Sequence, residues 1–333
     1  MTTNITIIGL GQIGMSIGLS LANHKDIVQR KGYDIDKEIG KTALKTDAVD
    51  EFSTNLVLAV RNADLIILAL PINEIKDILE IIAPLIQDGT VVMDTAPAKK
   101  AVAGWVKELL PEGISYVGLA PILNPEYLAG ESTVVDTAHG DLFQNGLLAI
   151  VTPPNTESQA IELATNLTEL LGASPFFADL YELDSLMIAT HVMPQILGAA
   201  LVNSIVDQPG WREAKKLAGR AFAEVSGPID HMDTAKALMA AAILNRNDTL
   251  RLLDGLMIAL QAMRDDIDRE NTDALIEKLE NAQEGRKRWW RGRQTADWLS
   301  EETPHTDIPA ASDIFGRLFR FGRGSREDRT QKE

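Results

Sequence analysis

Gly9-Leu10-Gly11-Gln12-Ile13-Gly14 follows directly on the apolar run Ile5-Thr6-Ile7-Ile8 and opens a stretch of helical spacing from Ile13 to Ala22. Strand, tight turn and helix are expected in that order, and each glycine has a reason. Gly9 permits the turn, Gly11 lets the backbone approach a pyrophosphate, and Gly14 lets the helix pack closely on the sheet. Unpaired N–H groups at the positive end of the helix suit phosphate. Twenty residues past Gly14 stands Asp34, in Gly32-Tyr33-Asp34-Ile35-Asp36. An acid there suits the two hydroxyls of an adenosine ribose and repels a 2′-phosphate. The combination predicts a dinucleotide site for NAD, with Lys31 and Lys37 near Asp34 leaving room for NADP.

Outward from this unit, short apolar runs alternate with amphipathic stretches. Val28–Asp34, Asp64–Leu70, Thr90–Asp94 and Leu147–Val151 read as strands, the last of these as the final strand. Glu38–Thr46, Ile75–Ile86, Lys99–Leu110 and Glu157–Leu171 read as helices. Continuous apolar strands between helices predict a doubly wound parallel sheet of the Rossmann type, covered on both faces. Ligands on such sheets bind at the carboxyl ends of the strands. The cofactor set is therefore Gly9, Gly11, Gln12, Ile13, Gly14 and Asp34, with Leu70, Pro71 and Thr95 flanking the nicotinamide end.

From about Asp184 the strand signal stops. Ser185–Val206, Trp211–Val225, Asp233–Asn245, Asp248–Arg269 and Asn271–Gln283 read as helices rich in small apolar residues. They carry more apolar surface than one helical layer hides, so a C-terminal all-α region that forms a homodimer is expected. The expected domains are 1–173, 174–290 and a tail, 291–333. The basic, aromatic stretch Arg286-Lys287-Arg288-Trp289-Trp290-Arg291-Gly292-Arg293 runs across the 290/291 boundary into the tail, and Ile314-Phe315-Gly316-Arg317-Leu318-Phe319-Arg320-Phe321 lies further on. The tail reads either as partly disordered with a short docking segment, or as an amphipathic anchor for a partner or an anionic surface.

Composition narrows the class. A chain of 333 residues fits about two domains. A net charge of −16 argues against general nucleic-acid binding, which needs a basic face. With no cysteine, disulfide and thiolate chemistry are excluded. The sequence reading finds no leader segment and no apolar run of membrane-spanning length, so a cytoplasmic location is expected. No metal-ligand spacing such as H-E-x-x-H occurs, and no metal is expected. Gly14-Met15-Ser16-Ile17-Gly18 spells G-x-S-x-G, but its serine lies inside the helix rather than on the sharp turn a nucleophile elbow needs. His231 reads as a loop histidine and Asp265-Asp266-Ile267-Asp268-Arg269-Glu270 as a solvated helix end.

Over residues 4–290 the chain resembles the prephenate/arogenate dehydrogenases of tyrosine biosynthesis. The markers are the glycine turn, Ala63-Asp64-Leu65-Ile66-Ile67-Leu68-Ala69-Leu70-Pro71, Leu110-Pro111-Glu112-Gly113 before Val117-Gly118, Thr152-Pro153, Leu170-Leu171-Gly172, Leu217-Ala218-Gly219 with Phe222, and Ile243-Leu244-Asn245-Arg246. The resemblance implies a Rossmann domain joined to a helical dimerisation domain. It implies NAD-dependent removal of hydride from the ring carbon bearing the hydroxyl, with loss of CO₂ to give an aromatic product.

The departures fall where that chemistry would occur. The family's Gly-His-Pro-Met stands here as Leu119-Ala120-Pro121-Ile122, so Ala120 replaces the histidine that would bond the substrate hydroxyl. A serine position becomes Pro97, before Ala98-Lys99. Ser-His-Leu-Pro-His becomes His191-Val192-Met193-Pro194-Gln195, with His191 displaced by one position relative to Pro194. Arg-Asp-Thr-Thr-Arg after Phe222 becomes Ala223-Glu224-Val225-Ser226-Gly227, losing two arginines, one of which clamps a substrate carboxylate. Candidate catalytic replacements are His191, Asn124 and Arg220, with Lys99 beside them. The alternatives are a dehydrogenase for a less anionic substrate on the same scaffold, or a cofactor-binding homologue without turnover.

Overall fold

The computed structural model describes residues 2–128, 138–230 and 234–295. The chain divides into two units, Met1–Glu284 and Gly285–Glu333. In the first, eight strands form one sheet: β1 (Thr3–Ile8), β2 (Val28–Tyr33), β3 (Glu51–Ser53), β4 (Leu65–Leu68), β5 (Val91–Asp94), β6 (Ser115–Ile122), β7 (Leu147–Val151) and β8 (Ser174–Phe177). Their order is β3-β2-β1-β4-β5-β6-β7-β8. β1 to β6 are parallel, β7 is antiparallel to β6, and β8 is parallel to β7.

The period of two is visible in the core. Leu65 and Ile67 of β4 pack on one face with Ile5, Ile7, Met15 and Val117, whereas Ile66 and Leu68 pack on the other with Ile8, Ile72, Ile75 and Val92. All four residues of β4 are buried, as a strand covered on both sides requires. Leu147–Val151 is not the final strand. β8 follows it, and its Pro175 and its brevity hid it, since proline is tolerated only at the margins of a sheet. The three-residue β3 also gave no readable period.

The covering helices are α1 (Gln12–Ser20), α2 (Lys37–Lys45), α3 (Leu56–Val60), α4 (Ile72–Ile82), α5 (Lys99–Leu109) and α6 (Ser158–Leu170). Then come α7 (Leu180–Met187), a π-turn (Ile188–Val192), α8 (Met193–Ile205), α9 (Trp211–Leu217), α10 (Arg220–Ser226), α11 (Ala235–Leu244), α12 (Arg246–Asp268) and α13 (Thr272–Thr295). The π-turn's Ile188 and Val192 join the cluster on the α4–α5 side of the sheet, together with Met193 and Ala241. Two helices expected whole are divided. The first is interrupted by the π-turn. The second breaks at Ala218-Gly219, where Gly219 is extended and its poor helix propensity tells.

The helical run Leu180–Ile205 is long and apolar enough to cross a membrane by length and composition, which the sequence reading did not anticipate. Here Leu183, Met187, Ile188, Val192 and Met193 are buried against protein, and Asp184 is bonded to α5. In the second unit the Arg286 guanidinium lies over the rings of Trp289 and Trp290, at 4.5 and 5.0 Å. The tail segment Ile314–Phe321 and His231 lie outside the described residues.

Candidate active site

The glycine turn sits where β1 meets β4 at the centre of the sheet, with β2 outside one and β5 outside the other. This is the topological switch point, whose crevice takes ligands in open α/β sheets. Gly9 has φ +91°, and a side chain there would meet the Ala69 carbonyl oxygen at 2.3 Å. At Gly14 a Cβ would stand 1.9 Å from the Gly9 oxygen. Gly11 is the N-cap of α1, whose first turn, opened by Gln12 and Ile13, has no side-chain cap and no acidic residue. The positive end of the helix dipole favours an anion there.

Asp34 follows β2. One of its oxygens accepts the Leu10 N–H at 2.8 Å and the other the Asp36 N–H at 2.9 Å. The acid thus fixes the turn, and a carboxylate with about four lone-pair sites still has room for ribose hydroxyls. Lys31 is held by Glu51 at 3.1 Å. Pro71, after Leu70, is the N-cap of α4, and the Thr95 N–H binds the Leu68 oxygen at 3.1 Å, tying the ends of β4 and β5 together. Asn73, in the first turn of α4, carries a buried side-chain oxygen with no hydrogen-bond partner among the described residues, an acceptor that sequence reasoning passed over. The tight glycine turn, the acid beside it and this acceptor fit a dinucleotide.

The three catalytic candidates have different settings. Asn124 is buried and spends its side chain locally, accepting the Glu126 N–H at 3.2 Å and donating to the Asp141 carbonyl at 3.3 Å. Arg220 is exposed and paired with Glu224 at 2.6 Å on its own helix. His191 lies in the π-turn. Single π-turns are frequent at functional sites. The Thr190 hydroxyl donates to the Leu186 carbonyl at 2.8 Å, which spends its only proton. Its 2.8 Å contact with His191 Nδ1 therefore has Nδ1–H as donor, leaving Nε2 as an unprotonated acceptor. Solvent reaches the residue, yet the protein crowded round it pushes its pKa below the ordinary imidazole value.

Ala120 is 1% exposed and packs with Leu183 and Met187. Two residues back on the same face of β6, Gly118 lies beside a buried polar chain. Lys99 Nζ donates to the Asp94 carbonyl at 3.0 Å and to its carboxylate at 2.8 Å. Tyr116 donates to the other Asp94 oxygen at 2.5 Å. Asp184 of α7 accepts the backbone N–H groups of Lys99 at 2.6 Å and Lys100 at 3.1 Å. All four side chains are buried. Burial lowers the Lys99 pKa although Asp94 opposes it, and raises those of Tyr116 and Asp184. Sequence reasoning had Lys99 but missed Tyr116 and Asp184, which carry no local signal of their pairing.

The fold and the tight glycine turn with its spaced acid define a dinucleotide-dependent oxidoreductase of the Rossmann class. Residues 17–176 match the family model described as prephenate dehydrogenase, nucleotide-binding domain, which begins just past the glycine turn. Over most of its length the chain is similar to curated prephenate and cyclohexadienyl dehydrogenases. It is 24% identical to prephenate dehydrogenase of Bacillus subtilis, over 86% of this chain and 76% of that protein. It is 22% identical to cyclohexadienyl dehydrogenase of Zymomonas mobilis, over 85% and 94%. Its fold is shared with A. aeolicus prephenate dehydrogenase in complex with hydroxyphenyl propionate and NAD+, at a TM-score of 0.74 and 19% identity, covering 86% of this chain and 98% of that one. Synechocystis arogenate dehydrogenase follows at 0.66 and 21%, covering 86% and 100%.

Proposed function

We propose that this chain is an NAD-dependent dehydrogenase that converts a prephenate- or arogenate-type cyclohexadienyl acid to a phenol with loss of CO₂. The observation that carries the reading is the glycine turn held open at the switch point with Asp34 bonded to it. Gly9, Gly11, Gln12, Ile13 and Gly14 bind the pyrophosphate and Asp34 the adenosine ribose. Leu70, Pro71 and Thr95 flank the nicotinamide end. NAD, when bound, supplies the acceptor for the hydride that leaves the carbinol carbon. As that hydride leaves, the ring's quaternary carbon releases its carboxyl as CO₂, and the freed electron pair completes the aromatic ring. His191 Nε2 takes the substrate hydroxyl in a hydrogen bond, the task for which Ala120 has no group. The open lone pair and the lowered pKa support that role. Asn124 and Arg220 stand behind it as candidates. Arg220 would have to leave Glu224 to clamp a carboxylate.

The helical region forms a homodimer in this reading. Met257, Ile258 and Ile243 are 64, 71 and 65% exposed, an apolar face that a second copy would cover. The basic tail is kept as a docking segment for a partner.

A second reading, a less anionic substrate, is favoured by one observation. The position of the family's histidine is a buried alanine, and the position of its clamping arginine falls in Ala223–Gly227, which holds no cation. A buried carboxylate without a paired cation is strongly disfavoured. Mixing the protein with NAD and prephenate or arogenate, and following NADH absorbance, decides between them. Turnover on either acid supports the first reading. NAD binding without turnover on both overturns it and sends the search to other hydroxy acids.

A further inference from the structure

Helix α5 begins with a deficit. Its N-cap is Ala98, which supplies no side-chain cap, and its first turn has no acidic residue. Four N–H groups open such a helix, and partners are needed where they are buried. The partner comes from a distant part of the chain. Asp184 takes the N–H groups of Lys99 and Lys100 on its two oxygens, at 2.6 and 3.1 Å. A second strap lies beside it, with Lys100 Nζ 4.9 Å from the centre of the Tyr181 ring. At the other end of the Thr95–Ala98 loop, Asp94 accepts the Ala96 N–H at 2.8 Å while holding Lys99 and Tyr116. The loop is therefore gripped at both ends by buried carboxylates. One grip originates on the helical run that carries His191, seven residues or about two turns after Asp184.

We infer that Asp184 is a positioning residue that locks the Thr95–Ala98 loop and the His191-bearing run into a single register over the carboxyl ends of β5 and β6. It touches neither substrate nor coenzyme. It acts by joining the two walls of the cleft, the loop at the nicotinamide end and the π-turn. The inference rests on the proposed function in assigning those two walls to coenzyme and substrate.

The test uses the full chain. Asp184→Asn keeps the shape and one acceptor but sets an amide N–H₂ against the Lys100 N–H. Per coenzyme-binding site, kcat is expected to fall at least tenfold while KM for NAD stays within twofold, with Asp184→Glu recovering part of the loss. An unchanged kcat overturns the inference, as does a rise in KM for NAD that accounts for the whole effect. Hydrogen exchange read by mass spectrometry needs no substrate. In the wild type, NADH is expected to slow exchange in peptides covering residues 95–100 and 188–193. In Asp184→Asn it should slow exchange at residues 9–15 alone. If the variant keeps the wild-type response in both segments, or if NADH never slows residues 95–100, the inference falls. A wild type that turns over neither prephenate nor arogenate sinks the proposed function instead, and the exchange result still decides the role of Asp184. Should Asp184→Asn not fold, Tyr181→Leu loosens the exposed strap at the same junction. About a threefold loss of kcat at unchanged KM for NAD is then expected, and no loss overturns the inference.

Discussion

Gly118 is the gap through which Lys99 reaches Asp94. A Cβ on Gly118 would lie 2.9 Å from Lys99 Cδ, 2.7 Å from Val151 Cγ2 and 3.0 Å from the Tyr116 hydroxyl. Three side chains from three elements converge on the missing methyl, and two of them belong to the buried polar chain. Gly118→Ala is expected to destabilise the protein by about 1–3 kcal/mol, the usual cost of overpacking a filled site. Urea unfolding followed by far-UV circular dichroism measures it. An unchanged midpoint would mean that the Lys99 stem moves aside at no cost.

The same geometry at the coenzyme crevice has a functional outcome. In Gly14→Ala the new methyl would stand 1.9 Å from the Gly9 carbonyl oxygen and 3.1 Å from the Ala69 Cβ, so the turn and α1 must separate. The phosphate cradle is lost with them. Calorimetric titration with NADH should show binding weakened by at least about 100-fold, a change of about 2.7 kcal/mol. Retention of wild-type affinity would remove the glycine turn from the coenzyme site.

Asp34 argues for NAD through its bonds to Leu10 and Asp36 and through its charge. Asp34→Ser removes the charge that repels a 2′-phosphate and keeps a hydroxyl in place. Affinity for NAD should fall about tenfold, since a hydrogen bond to a charged group is worth about 1.5–3 kcal/mol and serine restores part of it. Affinity for NADP should rise. Competition titrations of NADH and NADPH read both changes, and an unaltered ratio would relieve Asp34 of its role.

Local signals made the coenzyme half legible. The glycine turn, the acid after β2 and the apolar runs of β1 and β4 depend on neighbours in sequence, and each is where its pattern placed it. What escaped depends on partners far along the chain. Arg30, in the middle of β2, is fully buried because Asp50 and the carbonyls of Gly18 and Asp47 receive its guanidinium. Nothing in Val28-Gln29-Arg30 announces that. Asp184 is similar, an acid in an apolar helix whose purpose appears only when the start of α5 is brought to it. The π-turn was not legible, because a helical period does not distinguish a continuous helix from one with a single wider turn. β8 carried a proline and only four residues, too little for a period of two to register.

His191 ties pH to both stability and rate. Crowding by protein lowers its pKa from the ordinary value of 6.5, so near neutral pH the ring is an uncharged imidazole with Nε2 free to accept. The unfolded chain takes up a proton near pH 6.5, whereas the folded chain does so only at lower pH. Between those two points the unfolded state binds more protons, so stability falls as pH falls. The contribution is complete above pH 6.5 and is lost as pH drops through the lower, folded value. The pH profile of kcat/KM should accordingly show an acid limb with its midpoint below 6.5. In His191→Asn that limb should vanish and kcat should drop by about 10²–10⁴-fold, the range for loss of a group that handles a proton. NADH affinity should not change. A variant that loses rate but keeps the same acid limb would show that another group titrates there and that His191 serves the cleft only by its shape.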